Sequence, residues 1–374
     1  MIQRKLREEI KSKLYKGKAI IVLGPRQTGK TTLLQTIASA EGAYLYLNGD
    51  DNVIREVLEK TSLQTLKQLI GANKLVVIDE AQRVKNNGLA LKLITDQMKD
   101  VQLFVSGSSA LELANEINEP LTGRKWEYML YPISWSEYCS HFGNLMGIQS
   151  LEQRLVFGMY PEVINNTGNE VEVLKQIADS YLYKDLLSFK GIRKPELLFK
   201  LLRALSFQVG SEVSYNELAN LLQVDKNTIS NYIDLLEKAF VIFKLQPLSR
   251  NLRNEISTTR KIYFYDNGIR NILINNTNPL EFRNDIGVLW ESFLMSERIK
   301  YNHYNSVYSN LYFWRTHQQK EIDYIEERNG KFYAFEFKWN NRKKTLAPAL
   351  FMETYSDTEF SVIDKSNYFN FLGL

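Results

Sequence analysis

A glycine-rich loop near the N-terminus constrains this chain more than any other feature of its sequence. Residues 24–31 read Gly-x-x-x-x-Gly-Lys-Thr, and the five apolar residues before them, 19–23, predict a buried parallel strand. In such a loop the backbone amides surround a β-phosphate, Lys30 reaches the β- and γ-oxygens, and the Thr31 hydroxyl ligates Mg²⁺. The sequence therefore predicts a site for a nucleoside triphosphate and Mg²⁺. The predicted binding residues of the loop are Gly24, Pro25, Arg26, Gln27, Thr28, Gly29, Lys30, Thr31 and Thr32.

A second strand-like run, residues 74–78, ends in the acidic pair Asp79 and Glu80. The carboxyl end of a parallel strand is where a sheet presents side chains to a bound nucleotide. We predict that Asp79 holds the Mg²⁺ shell and that Glu80 polarises the attacking water, with Lys30 as a further catalytic residue. The alternative is that both carboxylates are simply exposed at the end of a strand.

A third apolar run, residues 101–105, is followed by Ser106-Gly107-Ser108-Ser109. A hydroxyl at this position can bond the γ-phosphate or the attacking water, and we predict that Ser108 has this role. The alternative is an ordinary strand-to-helix turn, in which Ser and Gly are common residues.

The order of apolar runs along the chain predicts the fold class and the domains. Residues 1–135 alternate strand-like runs with helical patterns, which predicts an α/β fold with a parallel sheet flanked by helices. Residues 136–192 read as helical and predict a small lid behind the nucleotide. Two further domains follow: a winged helix-turn-helix over 193–265 and an α/β domain over 266–374.

Composition serves mainly to exclude classes of protein. With 374 residues, 44% hydrophobic and 24% charged, the chain has room for two or three globular domains, and disorder is not expected. No stretch approaches about eighteen consecutive apolar residues, and residues 1–10 read as an amphipathic helix rather than a signal peptide. We therefore expect a cytoplasmic protein with no membrane partner. A single cysteine, Cys139, excludes an internal disulfide and a cysteine-rich zinc site.

The predicted winged helix rests on two short helices. Ser214 is a suitable N-cap for the first helix, and the second, 226–236, begins with short polar side chains of the kind that enter a DNA major groove. The runs 239–245 and 261–265 predict a two-stranded wing. Between residues 193 and 261 there are 11 Lys and Arg against 7 Asp and Glu, a weak basic excess. We predict DNA as a partner, and the alternative is a winged helix that packs against protein.

The C-terminal segment holds a second set of chemical groups. Glu291 lies on a predicted helix, Asp323 on a strand, and Glu336 and Lys338 on the next strand, where alternation puts them on one face. The three carboxylates predict a site for Mg²⁺ or Mn²⁺, beside which Lys338 orients or deprotonates the attacking water. This arrangement is typical of a metal-dependent phosphodiesterase. The alternative is an exposed ion pair between Glu336 and Lys338 on an edge hairpin.

Together these motifs resemble the prokaryotic AAA-type P-loop ATPases that carry an uncharacterised C-terminal domain related to PD-(D/E)xK endonucleases. The motifs that carry the resemblance run nearly end to end: residues 24–31, 77–82, 106–109, 121–124, 131–134, 158–161, 264–268, 321–323 and 336–338. The resemblance implies ATP as the nucleotide and an ATPase core followed by a winged helix and a restriction-endonuclease-like domain. It also implies that Arg124 completes an ATP site, its own or that of a neighbouring subunit, whereas the alternative is a surface arginine.

The C-terminal motif is similar to that of archaeal Holliday junction resolvases in the order Glu291, Asp323, Glu336, Lys338. Ile322 stands where a proline usually precedes the first motif acid in those nucleases. Related modules often keep the fold while losing catalysis, so the resemblance leaves DNA cleavage open.

Two functions are consistent with these features. The first is a Mg²⁺-dependent ATPase coupled to DNA binding, and by extension to DNA cleavage, which requires a homo-oligomer if Arg124 acts in trans. The second is a nucleotide-dependent protein-interaction switch with a protein partner and a catalytically inactive nuclease-like domain. Salt-dependent DNA binding favours the first, and nucleotide-dependent assembly without DNA affinity favours the second.

Overall fold

The computed structural model describes residues 1–108, 120–180, 194–249, 260–316, 318–340 and 345–374. These residues form two compact units. The N-terminal unit comprises residues 1–132 with 238–240, and the C-terminal unit comprises residues 133–237 and 241–374.

Within the described residues of the N-terminal unit, five strands form one sheet. The strands are β1 (Ala19–Leu23), β2 (Leu45–Asn48), β3 (Leu75–Asp79), β4 (Gln102–Gly107) and β5 (Lys125–Met129). The helices are α1 (Leu6–Ser12), α2 (Lys30–Glu41), α3 (Asn52–Glu59), α4 (Leu63–Ile70) and α5 (Asn87–Gln97), with a 3₁₀ turn at Ala81–Arg83.

The sheet has the strand order β2-β3-β4-β1-β5, and each neighbouring pair is parallel. Every residue of β1, β3 and β4 is buried, as expected for parallel strands covered on both faces. The phosphate loop follows β1, Asp79 ends β3 and Ser108 follows β4, so all three lie at the same edge of the sheet. The predicted α/β fold with a parallel sheet is confirmed.

Two strands of this sheet differ in their bounds from the sequence prediction. The second strand covers Leu45–Asn48, whereas the apolar run in the sequence covers 43–47. The fourth extends beyond the apolar run 101–105 through Ser106 and Gly107, because these residues continue the pairing with β1 opposite Val22 and Leu23. Ser108 is therefore the first residue beyond the strand, and Ser109 lies outside the described residues.

The C-terminal unit combines helices with a mixed sheet. Its first helices are α6 (Trp135–Phe142), α7 (Asn144–Phe157), α8 (Pro161–Asn165), α9 (Glu170–Ala178), α10 (Pro195–Phe207), α11 (Tyr215–Leu222) and α12 (Lys226–Lys238). Its later helices are α13 (Asn267–Leu273), α14 (Ile286–Tyr304), α15 (Ala349–Thr354) and α16 (Tyr368–Phe371), with a 3₁₀ turn at Leu280–Phe282. Its strands are β6 (Glu212–Val213), β7 (Ile242–Pro247), β8 (Arg260–Phe264), β9 (Asn310–Arg315), β10 (Glu321–Arg328), β11 (Lys331–Phe337) and β12 (Thr358–Ile363).

The strands of this unit that lie in the described ranges form one seven-stranded sheet with the order β12-β11-β10-β9-β7-β8-β6. Strand β7 is antiparallel to β8 and parallel to β9, which it pairs at Gln246 with Tyr312 and at Pro247 with Phe313. The predicted wing strands and the predicted C-terminal hairpin therefore share a sheet. The domain boundary predicted after residue 265 falls within this unit and stays a prediction.

Local capping residues explain where several helices of this unit begin. Ser134 and Glu137 form a capping box at the start of α6, because each side chain bonds the backbone amide of the other residue. The Ser214 hydroxyl caps α11, and the Asp225 carboxylate bonds the amide of Thr228 in α12. The predicted lid continues beyond residue 180 into residues that the structure does not describe.

Among the helices described here, none is both long enough and apolar enough to span a bilayer.

Candidate nucleotide-binding site

The phosphate loop joins β1 to α2 through two glycines with positive φ. Gly24 has a φ of 151°, and a Cβ at this residue would lie 2.1 Å from the carbonyl oxygen of Leu130. Gly29 has a φ of 90° immediately before α2. Because side chains are strained in this conformation, the turn requires glycine at both positions.

Lys30 is the first residue of α2, and the loop encloses its side chain. The residue is 5% exposed, and its Nζ donates to the carbonyl oxygens of Gly24 (2.9 Å) and Pro25 (2.7 Å). The Thr28 hydroxyl also donates to the Pro25 carbonyl (2.9 Å). An anion that enters the loop therefore meets the Lys30 ammonium and the positive end of the α2 dipole.

Asp79, at the end of β3, accepts hydrogen bonds from three hydroxyl groups. Its Oδ2 accepts from Thr31 of α2 (2.8 Å) and from the Tyr46 hydroxyl of β2 (2.7 Å), and its Oδ1 accepts from the Ser106 hydroxyl of β4. Burial and then the bond to Asp79 raise the pKa of Tyr46 above its ordinary value, so its hydroxyl stays a donor. Tyr46 and Ser106 were not predicted as site residues, because only the pairing of three strands brings them to Asp79.

The pair Thr31 and Asp79 fits a Mg²⁺ ion. Hydroxyl and carboxylate oxygens are the hard ligands that Mg²⁺ prefers, and the hydrogen bond shows that the two oxygens approach one point. Asp79 is 5% exposed and the neighbouring hydroxyls fix its orientation. The structure thus brings Thr31 to Asp79, and Lys30 precedes Thr31 at the start of α2. The binding roles of these residues stay a prediction.

Glu80 lies in a second hydrogen-bond network beside Asp79. Its backbone is left-handed, with a φ of 50°, and its Oε2 accepts from the Gln82 amide (2.5 Å) and from the Ser108 hydroxyl (3.3 Å). The same Gln82 amide donates to the Ser108 oxygen (2.8 Å). The structure therefore brings the predicted polar residue Ser108 to the predicted catalytic acid Glu80. Gln82 belongs to the motif at residues 77–82, but the sequence did not predict that its side chain orients Glu80.

Arg4, in the segment before α1, contacts the backbone of the phosphate loop. It is 8% exposed, and its guanidinium donates to the carbonyl oxygens of Thr28 (2.6 Å) and Tyr131 (2.6 Å). These acceptors are 24 and 127 residues away in sequence. Sequence analysis missed this residue, because a basic residue near an N-terminus carries no local signal of such a contact.

Arg124 lies far from the phosphate loop of its own chain. Its carbonyl oxygen bonds Ala19 at the amino end of β1, whereas the loop follows the carboxyl end of that strand, about 16 Å away at ~3.3 Å per residue. Its guanidinium is paired with Asp96 (2.7 Å) and bonds the Thr122 carbonyl (3.2 Å). This position does not fit a role for Arg124 in the ATP site of the same chain. A role in the ATP site of a neighbouring subunit stays a prediction.

The carboxylates predicted as a second site also come together. Asp323 accepts a hydrogen bond from a backbone amide of β11 (2.8 Å), and Lys338 bonds Glu336 (2.7 Å). Burial raises the pKa of Asp323 well above its ordinary value, and the negative charges of Glu291 and Glu336 raise it further. Glu291, Asp323, Glu336 and Lys338 therefore lie near one another, and their roles stay a prediction.

A buried lysine not predicted for this site contacts the same carboxylates. Lys261 of β8 is 1% exposed, and its ammonium lies 3.3 Å from Glu291 Oε1. In the part of the chain that the structure describes, no three His, Cys, Asp or Glu side chains are arranged to hold a metal ion. Lys261 is paired with Glu291 and Lys338 with Glu336, so the residues present do not fit a divalent ion as they stand. Metal ligation by Glu291, Asp323 and Glu336 stays a prediction.

Comparison with known families divides the chain into three matched segments. Residues 16–139 match a family described as an AAA domain. Residues 148–280 and 286–368 match two domains of unknown function, DUF8612 and DUF4143. The nucleotide site thus lies within the AAA match, and the predicted relation of the last segment to nucleases is not part of these matches.

Two relatives that cover most of the chain are uncharacterized proteins. An uncharacterized protein of Mycobacterium tuberculosis is 27% identical over 345 residues, covering 90% of this chain and 73% of that protein. An uncharacterized protein of Haemophilus influenzae is 28% identical over 295 residues, covering 70% of this chain and 72% of that protein.

A solved structure supplies the likeness in fold. A Walker-type ATPase of Pyrococcus abyssi superposes with a TM-score of 0.50 at 16% identity, covering 73% of this chain and 96% of that one. At this identity the likeness concerns the fold alone. Together with the AAA match and the parallel sheet, it identifies the fold of the N-terminal unit as that of an AAA-type P-loop ATPase.

Proposed function

We propose that this chain is a Mg²⁺-dependent ATPase. The observation that carries the proposal is the hydrogen bond between Thr31 and Asp79, made beside a loop that already encloses the Lys30 ammonium. Lys30 binds the β- and γ-phosphate oxygens, and the Thr31 and Asp79 oxygens hold Mg²⁺. When bound, Mg²⁺ neutralises negative charge on the phosphate oxygens.

Glu80 is the residue proposed to orient and polarise the attacking water. Its carboxylate is held by Gln82 and faces Ser108, so it is positioned by residues from the ends of two neighbouring strands. Ser108 bonds the γ-phosphate or the same water. ATP rather than GTP follows from the resemblance to AAA-type ATPases.

The test is ATP hydrolysis by the full chain with Mg²⁺. The Glu80→Gln variant is expected to bind ATP with unchanged affinity and to hydrolyse it at least about 100-fold more slowly, because the general base is lost. Lys30→Ala is expected to lose ATP binding. Glu56→Gln and Lys92→Ala, exposed residues on α3 and α5, are the matched controls. Unchanged hydrolysis by Glu80→Gln would contradict the role of Glu80, and absence of ATP binding by the native chain would overturn the proposal.

We further propose that ATP hydrolysis is coupled to DNA binding through α11 and α12. Support comes from the element order α10, β6, α11, α12, β7, β8, which is helix, strand, helix, helix, strand, strand, the order of a winged helix. Helix α12 buries Ile229 and Ile233, and exposes Lys226, Asn227 and Asn231 near its beginning. Exposed amide and ammonium groups at the start of a second helix can contact base edges and phosphates.

DNA binding is tested by measuring affinity over a series of salt concentrations, with and without ATP. The double variant Lys226→Ala/Asn231→Ala is expected to bind more weakly, with the slope of log K against log salt reduced by about 1 for the lost phosphate contact. Lys200→Ala on α10 is the matched control, since this lysine is exposed outside the helix pair. ATP-dependent assembly with no DNA affinity would replace this proposal by the protein-interaction switch.

A further inference from the structure

The carboxylates of the C-terminal sheet form a compact group that is partly shielded from water. Glu321 and Asp323 lie on β10, Glu336 on the adjacent strand β11, and Glu291 on α14. Asp323, 8% exposed, accepts from the amide of Phe337, the residue after Glu336, and the Lys261 ammonium contacts both Glu291 and Glu321. We call Glu291, Glu321, Asp323 and Glu336 the carboxylate cluster.

Lys261 extends into the carboxylate cluster from the strand β8. Its ammonium lies 3.3 Å from Glu291 Oε1 and forms a second ion pair with Glu321. Its side chain is 1% exposed, and its ammonium also lies over the ring of Phe313, 5.5 Å from the centroid. The Lys261 ammonium is therefore in contact with two carboxylates and with the face of an aromatic ring.

A neighbouring residue of β8 fixes the same carboxylate. The hydroxyl of Tyr263, two residues along the strand from Lys261, donates to Glu291 Oε1 at 2.6 Å. Gly210 approaches this carboxylate so closely that a Cβ there would lie 3.0 Å from Glu291 Oε1. Glu291 is thus held towards β8.

The charge on Lys261 is maintained by its surroundings. Its ammonium lies against the carboxylates of Glu291 and Glu321, and both negative charges favour the charged form of the lysine. A divalent ion bound to carboxylate oxygens at about 2.0–2.6 Å would lie beside this ammonium and be repelled by it.

Lys338 pairs with Glu336 and Arg315 with Glu321 at the edges of the cluster, whereas the buried Lys261 pairs with both Glu291 and Glu321. We propose that Lys261 is the buried resident cation of the carboxylate cluster and that its ammonium excludes divalent metal ions from it. The cluster then selects an internal ammonium group over Mg²⁺ or Mn²⁺ in the resting protein. This inference concerns the C-terminal unit and is independent of ATP hydrolysis. The proposal also explains why the predicted nuclease-like residues lie near one another but, within the described residues, are not arranged to hold a metal ion.

The test is Mn²⁺ binding to the full chain without nucleotide, measured by electron paramagnetic resonance of the free ion. Lys261→Met, which keeps the length of the side chain and removes its charge, is expected to bind one more Mn²⁺ per chain than the native protein. Adding Asp323→Asn to this variant is expected to abolish the gain. Lys331→Met, which removes an ammonium paired with Glu359 at the surface of β11, is the matched control and is expected to gain nothing.

Two results would overturn the proposal. One is native protein that binds a Mn²⁺ ion which Asp323→Asn removes, because the cluster would then hold a metal with Lys261 in place. The other is a folded Lys261→Met variant that binds no additional Mn²⁺. If Lys261→Met does not fold, the native protein and Asp323→Asn decide the question, and equal Mn²⁺ binding by these two supports the proposal.

Discussion

At the scale of single residues, the nucleotide site depends on side chains whose partners are remote in sequence. Arg4 is the clearest case, because one guanidinium bonds a carbonyl of the phosphate loop and a carbonyl that follows β5. Hydrogen bonds donated by a charged group to buried carbonyls are stronger than those between neutral groups. Arg4 therefore joins the phosphate loop to the segment that follows β5.

We predict that Arg4→Ala destabilises the N-terminal unit by about 3 kcal/mol, since two buried carbonyl oxygens lose a charged donor. ATP affinity is expected to fall with stability, because the loop carbonyl of Thr28 is no longer held. Thermal unfolding and ATP titration measure the two effects. Arg4→Lys should restore part of the affinity, and Lys5→Ala, at an exposed neighbouring position, should change neither. Native stability and ATP affinity in Arg4→Ala would show that this contact is dispensable.

At the scale of elements, one buried aspartate joins two helices of the C-terminal unit. Asp266 caps α13 by accepting from the amide of Ile269 (3.2 Å), and it also accepts from the amide of Met159 after α7 (2.6 Å). Burial raises the pKa of Asp266 above its ordinary value. Gly158 has a φ of 72°, and a Cβ on it would lie 2.0 Å from the Asp266 carboxylate. The turn after α7 therefore requires glycine for close approach as well as for conformation.

We predict that Gly158→Ala destabilises the C-terminal unit by about 3 kcal/mol or more, because the methyl group displaces the capping carboxylate in addition to straining the backbone. Gly168→Ala is the matched control, since Gly168 also has a positive φ of 96° but no atom within 4 Å of its Cβ position. That control should cost about 1 kcal/mol. Thermal unfolding of both variants checks the difference, and equal losses would show that only the backbone conformation matters.

At the scale of the whole molecule, the position of Arg124 bears on assembly. It stands at the amino edge of the parallel sheet, opposite the edge that carries Lys30, Asp79 and Glu80. An arginine in this position can complete a nucleotide site only on another chain. The homo-oligomer predicted from sequence is therefore the arrangement that gives Arg124 a catalytic role.

We predict that Arg124→Ala and Lys30→Ala are each deficient in ATP hydrolysis and that mixing the two variants restores part of the activity. In a mixed assembly, a chain with native Lys30 can receive Arg124 from its Lys30→Ala neighbour. Steady-state hydrolysis at a series of mixing ratios measures the recovery. Asp96→Asn, which removes only the partner of Arg124, should remain active. No recovery on mixing, or full activity of Arg124→Ala alone, would contradict action in trans.

The C-terminal unit shows how a sheet changes the interpretation of separate motifs. The predicted wing strands β7 and β8 lie in the same sheet as β10 and β11, which carry the predicted nuclease-like residues. Through this arrangement Lys261 reaches Glu291 and Glu321. Lys261 was counted among the basic residues of the predicted DNA-binding segment. The structure buries its ammonium against Glu291 and Glu321, which belong to the predicted C-terminal domain.

The sequence by itself determined the local parts of this protein. The spacing from Gly24 to Thr31, the apolar runs that became β1, β3 and β4, and the helix cap at Ser214 act over a few residues, so they can be recognised from one sequence. These features predicted the α/β fold with its parallel sheet. The ends of the strands were less predictable, as β4 shows, because pairing with β1 outweighed a local preference for a turn.

Only the tertiary structure decided which remote groups join those local parts. Tyr46 and Ser106 reach Asp79 through strand pairing, Arg4 reaches Thr28 from the segment before α1, and Lys261 of β8 reaches Glu291 of α14. Each of these contacts joins residues more than twenty positions apart, and hydrogen bonds and ion pairs of this kind depend on distances of about 3 Å that a single sequence does not encode locally. The physical reason is that a polar group buried without a hydrogen-bond partner costs free energy, so buried polar groups are paired in the folded protein. Which partner each group has depends on how whole helices and strands pack.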